Sequence, residues 1–162
     1  MGDNDSAMTC PTHMRRAGFH LANGDMSGRT IEVGMTNSIA FTKGDLVIDD
    51  ASGGATNGSI TTIDLTVWKG IAATTRGSVT SLANAGVKLA VYCPVFHSDM
   101  FWAQAVDQPD SGDTDLVATF TDKDTVNLAA GATEGDVGFK VLGFDEATTY
   151  YAVFGCFVVM GA

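Results

Sequence analysis

The sequence predicts an all-β fold, a small antiparallel β-barrel or jelly-roll-like β-sandwich, preceded by an extended N-terminal arm. Three observations predict it. Apolar residues recur at the strand period of two, as in Val87, Leu89, Val91, Cys93 and Val95. Turn residues (Gly, Asn, Asp) break the chain at intervals of about ten residues. No stretch carries a long amphipathic helix or a heptad repeat. At 162 residues a single core is large enough to need no staples.

The boundaries read as an arm over residues 1–30 and a β-rich domain over 31–162. Residues 1–30 mix Gly, Asn, Asp, Met and Ser with Arg15, Arg16 and Arg29, and no period persists there. Such a segment is expected either as a frayed terminus or as an arm that orders on a neighbouring subunit, with Met8, Met14, Phe19, Leu21 and Met26 as anchors. From Ile31 the strand signals begin. Residues 39–41 and 46–48 flank a turn at Thr42-Lys43-Gly44-Asp45, where glycine supplies the left-handed position. A polar Gly-rich loop over 49–59 follows. Residues 60–68 then alternate as a half-buried strand, with Ile63, Leu65 and Val67 on one side. Lys69-Gly70 is expected to break that strand, Ile71 restarts it, and 74–85 is a polar connection with a helical turn near Leu82.

The centre is expected at 87–104, read as a hairpin turning at His97-Ser98-Asp99 and bending at Pro94, which has no N–H for a ladder. An acidic loop over 107–115, a strand at 116–120, a turn at Asp122-Lys123-Asp124 and a strand at 126–130 come next. A final hairpin pairs 137–144 with 150–160. That last strand is apolar on both faces, Val153 and Phe157 on one, Phe154, Cys156 and Val158 on the other. Leaving Phe154 and Val158 in water forgoes about 1.5–3 kcal/mol each, so either another part of this chain or a neighbouring subunit must cover them.

Carboxylates outnumber Lys and Arg by 19 to 9, which disfavours nucleic acid as a partner. No apolar run is long enough to predict a membrane span or a leader. The three cysteines, Cys10, Cys93 and Cys156, are expected as reduced, mostly buried thiols. His97, Ser98 and Asp99 have the residue types of a hydrolytic triad, but adjacent side chains diverge where a triad must converge. Cys10 with His13 and His20 falls short of a four-ligand zinc site, and the histidines are expected in solvent. Asp107, Asp110, Asp113 and Asp115 have the oxygen chemistry calcium uses, at a spacing unlike the EF-hand, and are expected as a solvated loop. Ser52-Gly53-Gly54 and 131–135 lack the phosphate-loop pattern. No catalytic residue, cofactor or metal is expected. Trp68, Phe101 and Trp102 offer aromatic surface that a sugar-binding module would expose, though core or interface packing is the expectation. The residues expected to meet a neighbour are Arg15, Arg16, Phe19, Leu21, Trp68, Trp102, Phe154 and Val158.

The succession Phe41-Thr42-Lys43-Gly44-Asp45-Leu46-Val47, Trp68-Lys69-Gly70-Ile71-Ala72, Gly86-Val87-Lys88-Leu89-Ala90-Val91-Tyr92 and Phe139-Lys140-Val141-Leu142-Gly143-Phe144 resembles the small β-rich head decoration (cement) proteins of tailed bacteriophages. The resemblance is one of pattern over residues 34–160. It implies a non-enzymatic protein made in the host cytoplasm and bound to the outer capsid surface of the virion. There it would clamp major capsid protein subunits, as a homotrimer. A tail-tube or other virion structural subunit, a carbohydrate-binding β-sandwich module and, last, a small β-fold enzyme are the alternatives.

Overall fold

The computed structural model describes residues 7–35, 39–49, 54–57, 60–78, 88–147 and 149–161. The fold is all-β, built on two packed sheets. The strands are β1 (His20–Leu21), β2 (Thr30–Gly34), β3 (Leu46–Asp49), β4 (Ala55–Thr56), β5 (Ile63–Asp64), β6 (Trp68–Ala72), β7 (Lys88–Tyr92), β8 (Met100–Ala105), β9 (Val117–Asp122), β10 (Thr125–Gly131), β11 (Asp136–Phe144) and β12 (Ala152–Val159).

The larger sheet closes on itself. Its strands run β8-β10-β9-β11-β12, and β12 returns to pair with β8, Phe154 opposite Trp102 and Gly155 opposite Phe101. Closure removes free edges, which a small β-protein must otherwise protect. One pair departs from the antiparallel expectation. The β9–β10 hairpin turns back so that β10 lies parallel to β8, Val126 opposite Ala105. Alternate residues point inward, namely Phe101, Ala103 and Ala105 from β8, Val137, Phe139 and Val141 from β11, Val153 and Phe157 from β12. Phe157 is the hub, its ring lying 5.1–6.3 Å from the rings of Phe19, Trp68, Phe101, Phe120 and Phe139.

The second sheet runs β2-β7-β6-β3-β4. It curls until Met35, just past β2, bridges Ala55 of β4. Its two faces have separate duties. Leu46, Ile71 and Tyr92 join the Phe157 core, while Val47, Ala72, Leu89 and Val91 face a smaller core with Phe41 and Ala55. Gly70 sits inside β6 at φ +142°, where a side chain would collide with the Tyr92 carbonyl. It was expected to end a strand; instead it lets β6 approach β7, next to a register shift against β3.

Several expectations are corrected here. The stretch over 87–104 is no hairpin, because β7 belongs to the second sheet and β8 to the first. The chain crosses between them at Pro94, where no N–H is available to extend a ladder. Asp99 fixes the crossing by accepting from Tyr92 Oη at 2.6 Å and Val95 N at 2.9 Å. Likewise the strand expected over 60–68 is broken after Asp64. Its carboxylate accepts from Thr66 N and Oγ1, bending the chain so that Leu65 faces solvent. Residues 39–41 contribute a single bridge, Phe41 to Arg76, and the loop expected over 49–59 holds the short β4. The helical turn expected near Leu82 lies outside the described residues.

Candidate binding cleft

From Ala7 onward the N-terminal stretch is part of the fold rather than an arm that orders on a neighbour. Cys10 and Phe19 are fully buried, and Leu21 and Met26 nearly so. Backbone bonds fasten the stretch at intervals, Met8 N to Phe144 O, Gly18 N to Asp124 O, Phe19 N to Gly44 O and Ala22 N to Met100 O, all within 2.7–3.0 Å. Strand β1 pairs His20 with Trp102 and Leu21 with Phe101, extending the edge of β8. Cys10, Met14 and Ala22 cover Trp102, Ala152 and Phe154. The Ala152–Phe154 part of the outer face of β12 is thus covered by the chain's own N-terminal stretch.

Of the residues expected to meet a neighbour, Phe19, Leu21, Trp102 and Val158 are buried within this chain. Phe154 is half-buried against Trp102. Trp68 is half-buried between Phe96 and Phe157, so neither tryptophan forms an open sugar platform. Arg15 and Arg16 are exposed. Arg15 donates from Nε to Cys10 O at 3.0 Å and lies 3.6 Å from Asp145.

Two buried carboxylates tie segments together. Asp145 accepts from Cys10 N and Ala147 N, each at 2.8 Å. Burial and the Asp145 charge push the Cys10 thiol up to about 11, so it stays a thiol. Asp45 accepts from Thr42 N at 2.8 Å, Asn57 Nδ2 at 3.3 Å and Lys123 Nζ at 3.4 Å. Burial raises its pKa, and the bonds from Thr42 and Lys123 only partly offset that. Burial pulls Lys123 the other way, but Asp124 and Asp45 together outweigh it and hold the ammonium charged. The acidic loop is also self-satisfied at its tip. Asp110 Oδ1 accepts from Gly112 N, and Asp113 Oδ2 accepts from Asp110 N, a capping box around a short 3-10 turn. Among the described residues no group of three acidic, His or Cys side chains converges on a metal position.

One opening in the fold lies beside β1. A cleft of about 210 Å³ is bounded by His13, Arg16, His20, Lys43 and Asp25, over a floor that includes Met14, Leu21 and Met26. Pro11 opens the 3-10 turn Thr12–Met14 that places His13 and Met14. Asp25 caps a second turn, Met26–Arg29, accepting from Ser27 N at 2.7 Å. The Ser27 hydroxyl and amide hold the Asp25 carboxyl below its ordinary range, and Lys43 adds to this. Lys43 stands on the predicted turn, with Gly44 at φ +101°. A Cβ on Gly44 would lie 2.8 Å from the His20 imidazole, so glycine is needed for packing as well as for the turn.

His20 itself is buried, not solvated as expected from sequence. Its Nε2 lies 3.0 Å from Ala17 O, and since a carbonyl only accepts, that nitrogen carries the proton. Burial lowers the imidazole pKa below 6.5, and the Arg16 and Lys43 charges push it the same way against the bond to Ala17. The signal available in the sequence was the alternation Phe19-His20-Leu21, too short to stand out as a strand. No protein-family model matches the chain, and no curated protein sequence matches it either.

Proposed function

We propose that this protein is a non-enzymatic capsid decoration (cement) protein of a tailed bacteriophage. In this reading it binds the outside of the expanded head as a homotrimer and bridges major capsid protein subunits. The observation that carries the reading is how the fold uses its buried polar groups. Of the buried polar side chains among the described residues, Asp45, Asn57, Thr119 and Asp145 each bond to another part of the fold, while His20 bonds within the N-terminal stretch. They lock loops and the N-terminal stretch onto a closed barrel. That is architectural use of polar chemistry, and it suits a rigid clamp. The pattern resemblance over residues 34–160 supports the same reading.

The test is occupancy on expanded, undecorated capsids. Sedimentation with the capsid, saturating at a fixed number of copies per head and raising the force or temperature at which heads release DNA, is expected. Absence of co-sedimentation across phage capsids of several types would overturn the reading. A tail-tube subunit is the second reading, favoured by the outer edge of β2, which pairs with no strand over Thr30–Gly34 among the described residues. Electron microscopy of concentrated protein separates the two, since a tube subunit forms rings or tubes alone.

A further inference from the structure

The cleft beside β1 inverts the charge balance of the chain. Against an excess of acidic residues of 19 to 9 overall, it sets two cations, Arg16 and Lys43, with the imidazoles of His13 and His20, against one carboxylate, Asp25. That carboxylate is already engaged by Ser27. The floor is apolar. The cleft also continues: Asp25, Met26 and Lys43 line a second cavity of about 320 Å³ that runs on past Ser27 and Thr30 to Ala73, Thr74 and Ala90. The two together form a continuous groove, with Arg16 in the first cavity and Lys43 where the two meet. A compact anion would fill only the part beside Arg16 and Lys43.

We propose that this groove receives an extended acidic peptide segment of a partner protein. An Asp or Glu carboxylate sits between Arg16 and Lys43, and neighbouring apolar side chains lie on Met14, Leu21 and Met26. Arg and Lys recognise carboxylate through charge-assisted hydrogen bonds, and the apolar floor supplies area that a free anion leaves unused. The proposal names a partner chemistry and does not depend on the capsid reading.

The test uses the full chain and a fluorescein-labelled ten-residue peptide alternating Glu with Leu, read by fluorescence anisotropy. Binding is expected to weaken at least tenfold when the peptide's Glu residues are replaced by Gln, and to weaken with added salt. Arg16→Ser with Lys43→Ser is expected to weaken it at least tenfold while leaving the melting temperature near that of the parent, since both side chains are exposed. Asp25→Asn, which keeps a capping side chain, is expected to tighten binding a few-fold; a purely structural role for Asp25 predicts no gain. Equal affinity for the Gln peptide, an unchanged double variant, or no binding at millimolar peptide overturns the proposal. Binding of inorganic phosphate with no peptide binding would replace it with a simple anion site.

Discussion

The two sheets bury apolar surface in different ways. The larger one closes through long ladders, with seven residue pairs between β11 and β12, and fills its interior with aromatic rings. The smaller one curls shut through one bridge and fills its interior with aliphatic side chains around Phe41. The smaller sheet, like β12 of the larger one, is apolar on both faces, because its own other face completes the larger core. A half-closed sheet of short strands gains its order by serving as a wall of its neighbour. The two cores are therefore expected to melt together.

The largest effect expected on that comparison comes from Phe157→Ala, which removes the hub ring and costs about 3–5 kcal/mol. Leu89→Ala, in the smaller core, is expected to cost about 2–5 kcal/mol. Urea unfolding followed by tryptophan fluorescence and by far-ultraviolet circular dichroism should give one coincident transition for each variant. A Leu89→Ala curve that splits, with the smaller sheet lost first, would break the shared-wall account.

A smaller effect is expected from Asp145→Ala. It leaves the buried Cys10 N–H without its acceptor, at a cost of about 1–3 kcal/mol. Hydrogen exchange should rise over the N-terminal stretch and over the outer face of β12, and stay unchanged in the second sheet. Faster exchange throughout would mean that the stretch is no separate fastening.

The smallest is a pH effect from His20. Its pKa is lowered in the folded state, so between that value and 6.5 the unfolded chain binds more protons. Stability then rises with pH across the window and falls on acidification through it. The measurement is the difference in urea midpoint between parent and His20→Gln from pH 7.5 downward, because Asp45, raised above 3.8 by burial, contributes with the opposite sign in its own window. Parallel pH profiles for the two proteins would show that His20 is not coupled to folding.

The β11–β12 hairpin and the turn at Gly44 were legible because each rests on local chemistry, alternation in one case and a left-handed glycine in the other. The doubly apolar β12 correctly announced a cover. What covers it was illegible, since Cys10, Met14 and Ala22 reach it from far away in sequence and follow no period. The N-terminal stretch was misread for the same reason. It docks through isolated side chains, Phe19 above all, set among polar residues that stay in water. The central hairpin was misread because period two runs on through Pro94, and alternation says nothing about which sheet the next strand joins. The cleft was invisible because Lys43 meets Arg16 and His20 only through the tertiary fold.

The fastening of Cys10 to Asp145 spans 135 residues of sequence, and Phe19 packs on Phe139 and Phe157 from the last two strands. During synthesis the segment around Cys10 and Phe19 must therefore wait for β11 and β12. Until β12 emerges, Phe19 has no finished core to enter and the barrel has no closing strand. So many distant contacts predict slow folding, in the millisecond-to-second range typical of non-local β topologies. They also predict a nascent chain whose apolar β8 and β11 need shielding until β12 emerges.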